Sequence, residues 1–320
     1  MTINWFPGHM NKARNQIQEA MPDIDLVVEV LDSRLPYSST NPLVDELREG
    51  KPCIKVLNKA DLSDPNTTRL WIEHFEQQDN TRAVALVAED RKQSQKLIQL
   101  IKSIASQKVE QKKAVRVMIM GIPNVGKSTL INALAGRYIA RTGNEPAVTK
   151  RQQMIDLKNG VILSDTPGIL WPKFENKNSG YRLATSGAIK DTAMEYEDVA
   201  MYALEYFAQA YPNQLMERYK LTSLSELKEG MQLLDAVGRK RGCLRSGGIV
   251  DIHKAAEIVL HEFRAAKIGL LSLETPTMIA AEEIIMEQER LARQAAIEEK
   301  KRLAQKGKRP QPPETESNQT

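Results

Sequence analysis

Short apolar runs alternate with amphipathic stretches along the first half of the chain. The apolar runs, rich in Val, Ile and Leu, cover residues 26–31, 53–57, 83–87 and 115–120. Helix-like stretches lie between them, for example at 67–77 and 91–106. Strands that are apolar on both faces and alternate with helices are typical of a mostly parallel sheet. The pattern therefore predicts a doubly wound α/β fold.

The pattern changes in the second half. A hairpin is predicted where residues 152–157 and 161–164 flank Asn159-Gly160. Beyond about residue 181 the strand pattern ends, and helices are expected near 195–211, 224–237 and 251–268. Asp251 is placed to cap the last of these helices, and Gly269 lies just past its end. The expected domains are an α/β domain at 1–175, a helical domain at 176–275, and a basic tail at 276–320 that is helical to 306 and then disordered.

Composition excludes several classes of protein. Of the 320 residues, 41% are hydrophobic and 27% are charged. The hydrophobic share is enough to build a core, so a wholly disordered chain is excluded. No apolar run reaches the roughly 18–20 residues of a spanning helix, and the start lacks a signal-peptide core. We therefore expect no membrane contact and a cytoplasmic location. Cys53 and Cys243 lack metal-ligand spacing, and the net charge of +4 is small, so nucleic-acid contact must come from local clusters.

Residues 121–128 read GIPNVGKS and match the phosphate-loop pattern GxxxxGK[ST]. They follow a predicted strand and precede a helical stretch at 129–134, the context that such a loop requires. Lys127 is expected to reach the β- and γ-phosphates, and the Ser128 hydroxyl to ligate Mg²⁺. The predicted nucleotide-binding residues of the loop are Asn124, Val125, Gly126, Lys127, Ser128 and Thr129.

Asn58-Lys59-Ala60-Asp61 follows the strand at 53–57 and predicts a guanine site. The Asp61 carboxylate can accept from guanine N1–H and the 2-amino group, whereas adenine lacks both donors. Asn58 is expected at the purine N7 edge and the loop around it, with the Lys59 stem over the base. Ala88 lies where small residues line such a pocket. The predicted ligand is GTP.

Asp165-Thr166-Pro167-Gly168 follows the strand at 161–164. Asp165 is placed to hold Mg²⁺ through water, and the Gly168 N–H to sense the γ-phosphate. Thr149 is the candidate switch threonine that completes the Mg²⁺ shell. The predicted Mg²⁺ residues are therefore Ser128, Thr149 and Asp165.

The order of the motifs is unusual, because the guanine motif precedes the phosphate loop, which comes first in ordinary GTPases. This order indicates a circular permutation, with the helical domain following the second switch directly. Together with residues 4–10 (NWFPGHM) and Asp32-Ser33-Arg34, the motifs resemble the ribosome biogenesis GTPase A family (RbgA, also called YlqF) over about residues 1–270. The fold expected is a circularly permuted P-loop GTPase domain followed by a small all-α domain.

The resemblance implies a cytoplasmic factor that acts late in assembly of the large (50S) ribosomal subunit and binds its rRNA. We expect GTP hydrolysis to trigger its release. Guanine nucleotide and Mg²⁺ are the implied cofactors, and Asn124 is the implied ligand of K⁺ beside the phosphates. Nothing in the sequence demands more than a monomer.

The residue that aligns water is missing from its usual place, because Ile169 rather than Gln follows Gly168. We expect slow intrinsic turnover that the ribosomal subunit stimulates. His9 is the candidate catalytic residue, since an imidazole can position water near neutral pH. The alternative is that His9 caps a turn or contacts rRNA.

RNA contact is predicted for the basic loop at 239–245 (RKRGCLR), extended by Lys254, His261 and Arg264 on the following helix. Two other functions stay open. One is a regulatory GTPase that acts on a protein partner through the helical domain. The other is a nearly inactive GTP-binding scaffold.

Overall fold

The computed structural model describes residues 9–140, 153–166, 168, 176–189 and 194–306, with side chains described from residue 14 to residue 300 within those ranges. The chain divides into two compact units, Met1–Pro276 and Thr277–Thr320. The domain boundaries expected from the sequence, at 175 and 275, stay predictions.

Among the described residues, the sheet has six strands in the order β3-β2-β1-β4-β6-β5. The strands are β1 (Leu26–Asp32), β2 (Cys53–Asn58), β3 (Thr81–Ala85), β4 (Val115–Met120), β5 (Gln153–Asp156) and β6 (Val161–Asp165). Neighbouring strands are parallel except β5 and β6, which form the hairpin predicted around Asn159-Gly160. The expected α/β class with a mostly parallel sheet is confirmed.

Helices connect the strands in the first half and make up most of the second half. Those before β5 are α1 (His9–Ala20), α2 (Pro36–Ser39), α3 (Pro42–Leu47), α4 (Pro65–Glu76), α5 (Arg91–Ile104), α6 (Ser106–Glu110) and α7 (Lys127–Ala135). Those after β6 are α8 (Lys177–Ser186), α9 (Tyr196–Ala210), α10 (Pro212–Tyr219), α11 (Gly230–Lys240), α12 (Ile252–Arg264) and α13 (Pro276–Lys306). Short 3₁₀ turns lie at Met21–Asp23 and Ala60–Leu62. In the parts of the chain that the structure describes, none of the helices has the length and apolar character needed to cross a bilayer.

The centre of the sheet explains both the core and the position of the site. All seven residues of β1 are buried. The chain runs outward from β1 through β2 to β3 on one side, and through β4 and β6 on the other. Glu29 of β1 and Lys55 of β2 are buried as an ion pair at 2.8 Å, which the apolar pattern did not reveal. Open sheets of this kind bind ligands at the carboxyl ends of the strands, where the strand order reverses, here between β1 and β4.

Two predicted elements have different bounds in the structure. β3 spans Thr81–Ala85 rather than 83–87, because its pairing with β2 begins at Cys53 opposite Thr81. α11 begins at Gly230 rather than near 224, because Glu229 and Gln232 form a capping box at that point. α1, α8 and α10 were not predicted as helices.

The end of α12 also differs from the prediction. Its cap at Asp251 is confirmed, but the helix ends at Arg264, several residues before Gly269. Ala266 N–H donates to Phe263 O at 3.0 Å and Lys267 N–H to Glu262 O at 2.8 Å, the pattern of a Schellman motif. Ala266 therefore occupies the left-handed position (φ 52°) that glycine usually takes.

We expect Ala266→Gly to raise the free energy of unfolding by about 0.5–1 kcal/mol, because glycine adopts positive φ without the steric cost of Cβ. Urea unfolding measures the change. The matched control is Ala265→Gly, at a residue with φ −94°, which should lower the free energy of unfolding by a similar amount. A loss of stability in Ala266→Gly would contradict the assignment of the motif.

Candidate nucleotide site

The predicted motifs meet at one edge of the sheet. β1 ends at Asp32, β2 at Asn58 and β6 at Asp165, while β4 leads into the loop at 121–128. These four strands are mutually parallel. Their carboxyl ends therefore lie side by side, and residues far apart in the chain form one site.

Asn58 joins three of the predicted loops. Its Nδ2 donates to Val125 O in the phosphate loop at 2.7 Å, and its Oδ1 accepts from the Ala88 N–H at 2.9 Å. The Ala60 N–H also donates to Leu86 O. The side chain of Asn58 is buried, and its described contacts are to the surrounding loops. Its contact with the purine stays a prediction.

Gly126 is the glycine that this contact requires. Its φ of +94° lies in the left-handed region, and a Cβ there would come within 2.2 Å of Asn58 Nδ2. The backbone therefore reaches Asn58 only because residue 126 has no side chain. Gly126 is also the N-cap of α7, so the loop leads directly into a helix N-terminus, which favours anions.

Lys59 and Asp32 extend the network beneath the phosphate loop. Lys59 Nζ donates to Asn124 O at 2.7 Å and to Asp32 Oδ2 at 2.9 Å. Arg34 binds the same carboxylate with two nitrogens, at 2.9 and 2.7 Å. Burial raises the pKa of Asp32, but the charges of Arg34 and Lys59 outweigh it and hold that pKa well below its usual range. Burial also lowers the pKa of Lys59, against the charge of Asp32.

Lys127 is a buried ammonium at the start of α7, with 8% of its surface exposed. Its hydrogen bond to Ile122 O is long, at 3.4 Å. Burial lowers the pKa of Lys127 to about 8, while the charge of Asp165 raises it. Gly168 packs against the same place, since a Cβ on it would lie 3.0 Å from Lys127 Nζ and from Pro123 N. The structure therefore brings the DTPG motif and the phosphate loop together.

The remaining predicted residues fall into three groups. Ser128 and Thr129 lie half-buried in the first turn of α7, and Asp165 is buried at the end of β6. Asp61 is exposed in the 3₁₀ turn after Lys59, and Ala88 is buried. Thr149 lies outside the described residues, and His9 begins α1 with a side chain that is also outside them.

Sequence reasoning gave no role to two residues of the site, Asp32 and Arg34. The available signal was an acidic residue at the carboxyl end of a buried strand, next to the strand that carries the guanine motif. Parallel pairing of β1 with β2 places Asp32 directly opposite Asn58.

Two basic residues expected to contact RNA also make contacts that stabilise the fold. Arg241 binds Glu262 at 2.8 Å and lies over the ring of Tyr219. Arg264 donates to Ala184 O and Thr185 O at the end of α8. The acceptors are buried in both cases, whereas the two arginines are half-buried, so contact of these arginines with RNA stays a prediction. Lys240 and Lys254 are exposed and stay candidates for RNA contact.

Fold and site together define a circularly permuted P-loop GTPase. A family model described as a 50S ribosome-binding GTPase matches residues 116–224, so the guanine motif at 58–61 lies before the matched region. Ribosome biogenesis GTPase A of Priestia megaterium is 47% identical over 285 residues, covering 87% of this chain and 98% of the relative. The chain belongs to the ribosome biogenesis GTPase A family, as its motifs indicated.

More distant relatives agree. Ribosome biogenesis GTPase A of Thermotoga maritima is 33% identical over 274 residues, covering 86% of this chain and 95% of the relative. Among solved structures, GDP-bound TM YlqF matches with a TM-score of 0.60 and 31% identity, covering 82% of this chain and 99% of that one. GNP-bound YlqF from T. maritima matches with a TM-score of 0.57 and 30% identity, covering 83% and 98%.

Gly126→Ala should lower the free energy of unfolding by about 2–4 kcal/mol, since it combines left-handed strain with a clash against Asn58. Gly160→Ala is the matched control, because its φ is +87° and no atom lies within 4 Å of the added Cβ. The control should cost only the backbone strain, about 1 kcal/mol. Urea unfolding of both variants isolates the contact with Asn58, and equal losses would contradict it.

Proposed function

We propose that this protein binds and hydrolyses GTP as a late assembly factor of the large ribosomal subunit, which it leaves on hydrolysis. The observation that carries the nucleotide part is the contact of Asn58 with both the phosphate loop and the Ala88 segment. It joins a phosphate-binding and a base-binding element at one edge of the sheet. The ribosomal part rests on the names of the relatives, among them one at 47% identity. The factor acts in the cytoplasm as a monomer.

Mg²⁺ fits the residues at this edge. Ser128 supplies a hydroxyl and Asp165 a buried carboxylate, both oxygen donors of the kind that Mg²⁺ prefers. Asp165 pairs with Ile119 of β4, the strand that leads into the phosphate loop, which supports this assignment. Thr149 would complete the set. When bound, Mg²⁺ would neutralise charge on the β- and γ-phosphate oxygens.

K⁺ is assigned to Asn124. The Nδ2 of this residue donates to Gly187 O at 2.9 Å, which fixes the plane of the amide group in the phosphate loop. A monovalent cation held there would supply charge beside the phosphates that an arginine supplies in other GTPases. GTP turnover should accordingly be faster in KCl than in NaCl.

His9 is the residue that we assign to water activation. Its position in the chain, at the start of α1, and the apolar Ile169 after the DTPG motif support this role. An imidazole near neutral pH can accept a proton from water or orient it. Slow turnover alone and fast turnover on the subunit are expected if the subunit brings the N-terminal segment into place.

The first experiment measures GTP turnover in KCl with and without purified large ribosomal subunits. We expect a rise of at least about tenfold with the subunit, equivalent to roughly 1.4 kcal/mol of barrier. His9→Ala should abolish that rise and leave the Kd for GTP unchanged, because it removes the imidazole and no phosphate contact.

The matched control is His74→Ala on α4, an exposed histidine that packs on Trp71. It should keep the stimulated rate. Stimulated turnover in His9→Ala equal to wild type would remove His9 from the mechanism. Tight GTP binding without any response to the subunit would instead favour a regulatory GTPase with a protein partner.

Contact with rRNA is assigned to the exposed basic residues of the helical part, chiefly Lys240 and Lys254. Arg239 and Arg245 are also exposed but bind Asp235 and Asp251, at 2.7 and 2.9 Å. Lysines on a surface bind phosphates through charge, so affinity for RNA should fall steeply with salt.

The double variant Lys240→Ala/Lys254→Ala should weaken binding to the large subunit and reduce the slope of log affinity against log salt by about one per lost phosphate contact. Its melting temperature should stay unchanged. Arg241→Ala should show the opposite behaviour, losing about 1–3 kcal/mol of stability because the buried Glu262 loses a partner. Subunit binding at several salt concentrations, together with thermal unfolding, distinguishes the loss of RNA contact in the double variant from the loss of stability in Arg241→Ala. Wild-type affinity of the double variant for the subunit would contradict the assignment to Lys240 and Lys254.

A further inference from the structure

The carboxyl end of α8 is where the helical part of the first unit meets the nucleotide loops. Four successive carbonyls accept hydrogen bonds from elsewhere in the chain. Arg264 donates to Ala184 O at 2.9 Å and to Thr185 O at 3.1 Å. Arg34 reaches Ser186 O at 3.5 Å, and Asn124 donates to Gly187 O at 2.9 Å. The last carbonyls of a helix lack partners within it and carry partial negative charge, so cations and donors stabilise them.

These contacts form a closed circuit with the guanine motif. Lys59 binds both Asn124 O and Asp32. Asp32 binds Arg34, and Arg34 returns to α8 at Ser186, the neighbour of Gly187. The circuit therefore joins the guanine motif, the phosphate loop and α8.

α12 contacts both Arg34 and the carboxyl end of α8. Arg34 is 1% exposed and lies over the ring of Phe263, 5.1 Å from its centre. Arg264, the next residue of α12, holds the two preceding carbonyls of α8. Phe263 and Arg264 of α12 therefore contact Arg34 and the end of α8, respectively.

We propose that the carboxyl end of α8 holds the phosphate loop in its nucleotide-binding conformation through Asn124, and that Arg34 and Arg264 are positioning residues for that contact. Asn124 has a φ of 62°, a left-handed conformation that costs free energy and persists where surrounding contacts impose it. Its bonds to Gly187 and Lys59 are such contacts. The proposal rests on the proposed function, because it requires guanine nucleotide to bind at this loop.

The test is the rate of GDP release from the full chain, measured with fluorescent GDP below the melting temperature of each variant. Arg264→Gln is the informative variant, because its described contacts lie outside the guanine motif and the phosphate loop. We expect it to release GDP about five- to tenfold faster, the effect of losing roughly one hydrogen bond of support. Arg264→Lys, which keeps one donor, should release GDP at an intermediate rate.

Arg218→Gln is the matched control, since Arg218 lies in the same helical part and binds Glu262 with two nitrogens, at 3.1 and 2.7 Å. It should lower the melting temperature and leave GDP release at the wild-type rate. A second variant, Arg34→Lys, should also accelerate release, because lysine cannot bind Asp32 with two nitrogens and reach Ser186 as well.

The outcomes distinguish failure of the positioning role from failure of the proposed function. Wild-type release rates in Arg264→Gln, or equal acceleration in Arg218→Gln, would overturn the positioning role while GDP binding itself stands. A wild-type chain that binds neither GDP nor GTP would instead overturn the proposed function, and the positioning role with it.

Discussion

The buried carboxylate of Asp32 is the charge around which the first unit is arranged. An uncompensated charge at such a position would cost several kcal/mol, so its partners are constrained to remain close. One partner, Lys59, belongs to the guanine motif and also holds Asn124 in the phosphate loop. The other, Arg34, packs on Phe263 of α12. The two cations that neutralise Asp32 therefore connect the loop of the guanine motif, the phosphate loop and the helical part to one another.

The order of the motifs determines where the helical part joins the nucleotide site. Because the guanine motif comes first in the chain, the helices α8–α12 follow the DTPG motif directly. After α12 the chain returns to the first half, where the Leu273 N–H donates to Arg34 O at 2.6 Å and Trp71 Nε1 donates to Glu274 O at 3.1 Å. The Glu274 carboxylate is buried against Ser38 and Arg182. Burial raises its pKa, and the charge of Arg182 opposes that rise. The helical part is thus bound to the first half of the chain at both of its ends.

The phosphate loop and the guanine motif could be predicted from the sequence, but the long-range contacts that position them could not. The phosphate loop and guanine motif are local patterns, since their chemistry needs particular residues at fixed spacing after a strand. The bounds of β3 and α11 were missed by a few residues, because pairing with β2 and a capping box decide them. Arg264 was predicted to contact RNA, which stays a prediction, but the sequence did not reveal that it also caps α8, nearly eighty residues earlier in the chain. A basic residue on a helix looks the same in sequence whether its acceptor is a distant carbonyl or a phosphate.

Coupling through α8 is a thermodynamic relation and therefore acts in both directions. If a partner that binds the helical part changes the affinity for GDP, GDP must change the affinity for that partner by the same factor. A partner that binds equally well to every position of α12 would change nothing, however tightly it bound. Contacts of Lys240 and Lys254 with a phosphate backbone would give affinity, but coupling requires that the partner also distinguish where α12 lies against Arg34. The residues that hold a ribosomal partner and those that transmit its presence to the phosphate loop are therefore expected to be different.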